Sequence, residues 1–445
     1  MLANYFLNIK TQNINNFLLL SFAFFISVSI YITDLIILLF IISWIVSGNY
    51  KVKIKAIIKS PFTYPSIIFF FYFMSSYLWA ENSIFNDTTQ KQFLLILLPI
   101  LLTSNFNPKY ITKAKYAFLS GLLINIFLSI VTIIMPQNSF FKDGHYENTF
   151  FAHGFIDHFD YSIFLCFGIF ILTSLLNKKN WLKISSIIII FLCVLLNSYG
   201  RVGIISFFIF FPIIVLFYTE FTFQKTIISF VCLFICFSYY LFQPFQNRVN
   251  ETINSLNLIS EGMSLEDKVL KDAEFMALQS DSLSIEYFTH QIKKDREWLN
   301  KINIKHSEYT TSLGKRYLYT KNSIDLISKN LFFGTGAGGF QKLYQYNFNN
   351  VIQVKHPHNN FIFITIELGL IGLLIMLNIF YRKILLFVQN PKNYFLELIF
   401  PLFFLFIMLF DNYFLNHNTL AFYCLFSTII YWTHHSKKYP TNEFF

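Results

Sequence analysis

The sequence predicts an all-α polytopic membrane protein with about twelve transmembrane helices and one large, mainly helical loop outside the bilayer. Three observations lead there. Hydrophobic residues make up 55% of the 445 and charged residues only 13%, where a soluble domain has roughly a quarter charged. Apolar runs approaching about 17 to 25 residues, the length a helix needs to cross a hydrocarbon core, recur along almost the whole chain. One long polar stretch, from Gln243 to about Lys355, interrupts them. The chain divides accordingly into nine helices over 1–242, a loop over 243–357, three helices over 358–433 and a tail over 434–445.

In order, the first two crossings, near Asn16 to Ile32 and Asp34 to Ser47, share a polar break at Thr33 and Asp34 and read as a tight hairpin. No A-x-A-like cleavage site follows the first run, so it reads as a retained anchor. Crossings follow near Phe62 to Trp79, Gln92 to Ser104, Tyr116 to Met135 and Phe159 to Leu176, then Ile184 to Asn197, Val202 to Tyr218 and Thr226 to Phe242. Within the polar stretch, Ser264 can N-cap an amphipathic helix reaching about Ile302, and a second helix is expected from Arg316 to Lys329. Phe361 to Phe380, Phe395 to Phe410 and Thr419 to Trp432 complete the set.

Net charge is +10, but the basic residues flank apolar runs, where they set topology; nucleic acid is not an expected partner. Lys51, Lys53, Lys55, Lys59, Lys109, Lys113, Lys115, Lys178, Lys179 and Lys183 fall on one side of the predicted bundle. The short connections opposite carry only Lys91, Lys142 and Arg201. By the positive-inside rule both termini are cytoplasmic and the long polar stretch is extracytoplasmic. The five cysteines, Cys166, Cys193, Cys232, Cys236 and Cys424, all lie in apolar runs and read as small core residues. Cys232 and Cys236 share a helix face but have no nearby metal-ligand partners.

Polar chemistry gathers where the loop re-enters the bilayer. Gly334-Thr335-Gly336-Ala337-Gly338-Gly339 is either a flexible turn or a backbone nest whose N–H groups face phosphate. In His356-Pro357-His358-Asn359-Asn360, Pro357 disfavours helix before it, and Asn359 or Asn360 can cap the apolar helix after it. His358 then sits at a helix mouth where a neutral imidazole can accept a proton. His356 is expected in an extended, more exposed segment. Arg201 breaks the topology pattern between two spans and falls on the same side as His358; it can hold phosphate through forked donors or snorkel to headgroups. His145, His153, Asp157, His158 and Asp160 lack regular metal spacing and read as loop polarity, with an acceptor path as the other possibility. Glu367 falls about 180° around an ideal helix from His358 and is assigned to packing against another helix.

On these residues the chain resembles the O-antigen ligase family, related to O-antigen polymerases and protein O-oligosaccharyltransferases. That family's signature is His, then Asn, Ser or Gln, nine residues, Gly, two residues, and Gly, Thr or Tyr. Here it is met without a gap by His358, Asn359, Gly369 and Gly372. A second motif, Arg with Leu four positions on, is similar to Arg201 followed by Ile205. A third, an Arg opening the helix before the glycine turn with an aromatic three residues later, is similar to Arg316 and Tyr319.

The resemblance implies a GT-C-like glycosyltransferase of the bacterial inner membrane, with its loop and site facing the periplasm. Its donor would be an undecaprenyl-diphosphate-linked O-antigen glycan and its acceptor lipid A-core, without cofactor or metal. His358 would be the base, Arg201 and Arg316 would hold the diphosphate, and Asn359 would also touch substrate. The polymerase and oligosaccharyltransferase relatives are the alternatives within the family. A flippase or transporter of the same lipid-linked glycans is the alternative of another class.

Overall fold

The computed structural model describes residues 2–80, 87–134, 155–176, 179–218, 231, 234–235, 237–261, 312–348, 354–389 and 395–438. Every regular element among them is helical. The N-terminal set is α1 (Leu2–Phe25), α2 (Ile30–Val46), α3 (Tyr50–Lys59), α4 (Thr63–Ser75), α5 (Asp87–Gln92), α6 (Leu97–Thr103), α7 (Pro108–Ile134), α8 (His158–Ser174), α9 (Trp181–Asn197) and α10 (Arg201–Tyr218). The polar stretch supplies α11 (Gln243–Glu261), α12 (Ser312–Ile327) and α13 (Phe340–Phe348). The C-terminal set is α14 (Asn360–Gln389), α15 (Phe395–Ile407) and α16 (His417–Lys438).

Among the described residues two helices, Pro108–Val131 in α7 and Asn360–Leu385 in α14, are long and apolar enough to cross a membrane. The pair α2 and α3, bent by 118°, adds a third if counted as one span. Several predicted runs resolve into shorter or broken helices. The run Gln92 to Ser104 is a 3-10 turn at Phe93–Ile96 followed by α6, and α4 ends in a 3-10 turn at Ser76–Leu78. Crossings that hydropathy reads as single rods are therefore assembled from pieces. Part of the ninth run, Thr226 to Phe242, lies outside the described residues, as do the whole helix from Ser264 to Ile302, Cys232 and Cys236.

The first hairpin breaks earlier than the sequence suggests. Ser29 caps α2 with its side chain accepting from Ile32, and Thr33 returns its hydroxyl to the Ser29 carbonyl at 2.8 Å. With its donor satisfied inside the helix, Thr33 no longer marks a break. Likewise α12 begins at Ser312 rather than Arg316 and ends at Ile327.

Lipid tails are as apolar as these side chains, so in a bilayer helix association depends on close packing more than on water exclusion. The core meets this with interlocked rings. Phe167 on α8 packs edge-on against Phe426 of α16 at 4.7 Å and stacks on Phe403 of α15 at 5.6 Å, while Phe164 stacks on Phe422 at 4.7 Å. Cys166 and Cys424 are buried free thiols in this core, as their sequence context suggested.

Candidate active site at the mouth of the kinked helix

Helix α14 is broken at Gly369, whose backbone lies at φ 67 and ψ −172. Only glycine adopts such a conformation at little cost. The backbone groups freed by the break pair with the glycine turn: Thr335 N–H donates to Ile366 O, Gly336 N–H to Glu367 O, and Leu370 N–H to Leu331 O, at 2.8, 2.8 and 2.9 Å. A Cβ on Gly369 would lie 2.1 Å from the Phe332 carbonyl oxygen. The two glycine motifs, distant in sequence, thus form one clasp.

Neither reading of the glycine turn survives intact. The N–H groups of Gly338 and Phe340 do converge on an oxygen, but it is Oε1 of Glu367, at 3.1 and 3.3 Å. Ala337 N–H donates to Ser76 Oγ at 2.9 Å. The turn is a built joint rather than a flexible link, and Glu367 anchors it instead of packing against another long helix.

The other end of α14 is fixed by its own set of bonds. Asn359 Oδ1 accepts from Phe361 and Ile362 N–H at 2.9 and 3.1 Å, making it the N-cap. Asn359 Nδ2 donates to Leu409 O, and Asn360 N–H to Met408 O, at 3.1 and 2.9 Å. Asn359, expected at the substrate, is engaged here in the fold. These bonds dock the mouth of α14 on the connection after α15, which carries Asp411.

Asp411 joins the site residues. Its carboxylate lies 3.1 Å from His358 Nδ1 and accepts from Arg316 Nη2 at 3.2 Å. Arg316 Nη1 also donates to Phe410 O at 2.9 Å, fixing the fork. Burial favours the neutral carboxyl. The hydrogen bond and charge of His358, with His356 and Arg316 behind it, outweigh burial and hold the group down at about 2. Because the carboxylate only accepts, His358 Nδ1 carries a proton, which in the neutral ring leaves the lone pair on Nε2. His358 itself has φ 54, in the left-handed region that His tolerates better than most residues. Tyr319, one helical turn from Arg316, lies parallel to the His358 ring at 6.1 Å.

His356 is not the more exposed histidine. Its side chain is 28% accessible against 31% for His358, and the two rings pack against each other at 4.5 Å. Its Nδ1 stands 3.7 Å from Asp411, too far for a hydrogen bond. Burial lowers its pKa to about 4, aided by the charges of His358 and Arg316 and opposed by Asp411. The carboxylate, not exposure, distinguishes the two rings. His356, His358 and Asp411 have potential metal-ligand atoms within 4.8 Å of one another. Arg316 already places a fixed cation on that carboxylate, which disfavours a divalent ion there.

Arg201 opens α10 as expected, and its Nη2 donates to Glu251 Oε2 at 2.6 Å. Burial lowers the Arg201 pKa, with the charge of Arg248 and, least, that of Arg316 adding to it and Glu251 opposing. The acid and histidine group before α8 is not simple loop polarity. Asp157 caps α8 through Phe159 N–H, and buried Asp160 accepts from Asn416 and Asn418 at 3.3 and 2.9 Å. His145 and His153 lie outside the described residues. Sequence reasoning missed Asp411, Glu251 and Arg248. Asp411 had a usable signal: counting spans puts it on the same face as His358.

Taken together, these features define a helical multi-pass membrane protein with a histidine held by a carboxylate beside arginines at a helix mouth. A family model described as O-antigen ligase matches residues 186–377, which include Arg201, Arg316, His358, Gly369 and Gly372. Over these residues the chain is similar to the O-antigen ligase family, as its motifs suggested. No curated protein matches the chain.

Proposed function

We propose that the protein is a bacterial inner-membrane glycosyltransferase that moves an undecaprenyl-diphosphate-linked O-antigen glycan onto lipid A-core on the periplasmic face. One observation carries the chemistry: a single carboxylate, Asp411, orients both the His358 ring and the Arg316 fork. In the reaction, His358 Nε2 takes the proton of the acceptor hydroxyl as its oxygen bonds to the anomeric carbon. The bond from that carbon to the diphosphate breaks, and its electron pair leaves with the lipid diphosphate. Arg201 and Arg316 stabilise the charge that develops there, as preorganised donors do wherever charge appears in a transition state. Asn359 keeps the mouth in place beside this reaction. No step calls for a metal.

A twelve-span topology with the segment from Gln243 to Lys355 in the periplasm puts these residues where a lipid-linked donor and a lipid-anchored acceptor meet. Alkaline phosphatase fused near Ser280 should be active and a fusion near Lys53 inactive; the reverse overturns the orientation. The activity itself is tested with purified protein, lipid-linked glycan and rough lipopolysaccharide. Lengthened lipopolysaccharide is the expected product. Growth of the lipid-linked chain alone identifies a polymerase, and binding of the lipid without transfer a flippase or transporter.

A further inference from the structure

The positive cluster at the start of α10 holds one more arginine than the mechanism uses. Arg248, on α11, donates from Nη1 to Glu251 Oε2 at 2.6 Å. This is the oxygen that also accepts from Arg201 Nη2 at 2.6 Å. Two guanidinium groups from different parts of the chain therefore converge on one anionic oxygen. The arrangement is built: the Arg248 guanidinium carbon lies 3.5 Å from the centre of the Tyr199 ring, and Tyr199 occupies a left-handed backbone conformation at φ 62. For a tyrosine that conformation is unfavourable and persists only where the surroundings impose it.

The cluster is also short of acceptors. Among the described residues, the buried Nε atoms of both Arg201 and Arg248 find no hydrogen-bond partner. Two cations share one carboxylate, so positive charge remains, and the side chains of Arg201 and Arg248 keep 24% and 20% of their surface open. A phosphate of a lipid diphosphate, with two charged non-bridging oxygens, suits such a pair better than one carboxylate oxygen does.

We propose that Arg248 is a further phosphate-binding residue, which with Arg201 clamps one phosphate of a lipid diphosphate at the position that Glu251 Oε2 occupies in the free protein. This rests on the donor being a lipid diphosphate. Glu251 is then a placeholder: it keeps the two guanidinium groups together until the substrate phosphate displaces it.

The probe is inorganic pyrophosphate, titrated by calorimetry against the full-length protein in nanodiscs. Wild type should bind it, Arg201→Ala and Arg248→Ala should each weaken binding about ten- to a hundredfold, the range for losing a charged hydrogen bond, and Arg248→Lys should fall between. Arg382→Ala, which removes a charge at the far end of α14, should bind as wild type; equal weakening there would make the effect one of net charge and overturn the assignment. Glu251→Gln should bind at least as tightly as wild type, and weaker binding overturns the placeholder role. In transfer assays Arg248→Lys should raise the donor KM and leave the acceptor KM unchanged, a split that a merely structural role would not produce. If Arg201→Ala loses binding and a folded Arg248→Ala or Arg248→Lys does not, the inference fails and the donor reading stands. If wild type itself does not bind pyrophosphate, both fail.

Discussion

Helix α14 carries two buried or half-buried carboxylate systems, one at its mouth and one at its kink, and they do opposite things. At the kink, Glu367 accepts backbone N–H groups from Gly338 and Phe340. At the mouth, Asp411 accepts from side chains, His358 and Arg316, on two other segments. Backbone donors cannot leave without unfolding the turn, so the Glu367 system stores its interactions in the fold. Side-chain donors keep other atoms for a substrate: His358 retains Nε2. The lesson is that a carboxylate's partners, more than its burial, tell whether it serves structure or chemistry.

The sharpest way to break this comparison is at the mouth. His358→Ala should lower transfer about a hundred- to ten-thousand-fold, the usual range for a lost general base, while His356→Ala stays within a few-fold. Both are measured as glycan transfer at matched membrane expression. Near-normal turnover by His358→Ala would leave activation to the arginines alone. Arg201 comes next. Arg201→Ala should lose nearly all activity and Arg201→Lys most of it, because a point charge cannot replace a fork. Transfer by the Lys variant at the wild-type rate, with wild-type protein abundance, would reduce Arg201 to a headgroup anchor.

At the kink the readout changes from rate to stability. Gly369→Ala forces a side chain into the left-handed region, at about 1 to 3 kcal/mol, with a Cβ only 2.1 Å from the Phe332 carbonyl oxygen. The melting temperature in detergent should fall, while turnover per folded molecule changes little. A stable but inactive Gly369→Ala would erase the distinction between kink and mouth.

The smallest effect belongs to His356. Its pKa is lowered from 6.5 to about 4 by burial, with the charges of His358 and Arg316 adding to it, Asp411 opposing it and Lys91 contributing least. Between those values the unfolded chain binds the extra proton. The contribution is therefore fully present above pH 6.5 and is lost as pH falls through 4. At 1.36 kcal/mol per pKa unit it could reach about 3 kcal/mol, discounted to about 1 to 2 for a ring with 28% of its side chain open. His356→Gln should flatten the loss of stability across that window in pH-dependent melting. An unchanged slope would mean that the ring protonates freely.

Much of the architecture was legible before any coordinates, and the misses share a cause. The starts of α10 and α14 and the cap at Asn359 are settled within a turn or two of helix, and the family spacing from His358 to Gly372 within one helix. The first hairpin was misplaced because Thr33 looks polar in sequence, whereas its hydroxyl is satisfied by Ser29 one turn back. The second loop helix begins four residues before Arg316, at Ser312.

The sequence by itself determined the class of protein, the face on which its polar residues collect and the histidine to examine first, because hydropathy, charge asymmetry and motif spacing are one-dimensional quantities. Only the tertiary structure decided which acid meets which base. Asp411 reaches His358 across 53 positions and Arg316 across 95, and Arg201 meets Glu251 across 50. Those pairings depend on how α10, α11, α12, α14 and the connection after α15 pack at one end of the bundle. The glycine turn shows the same limit: its N–H groups suit any anion, and the kink at Gly369 is what brings Glu367 to them.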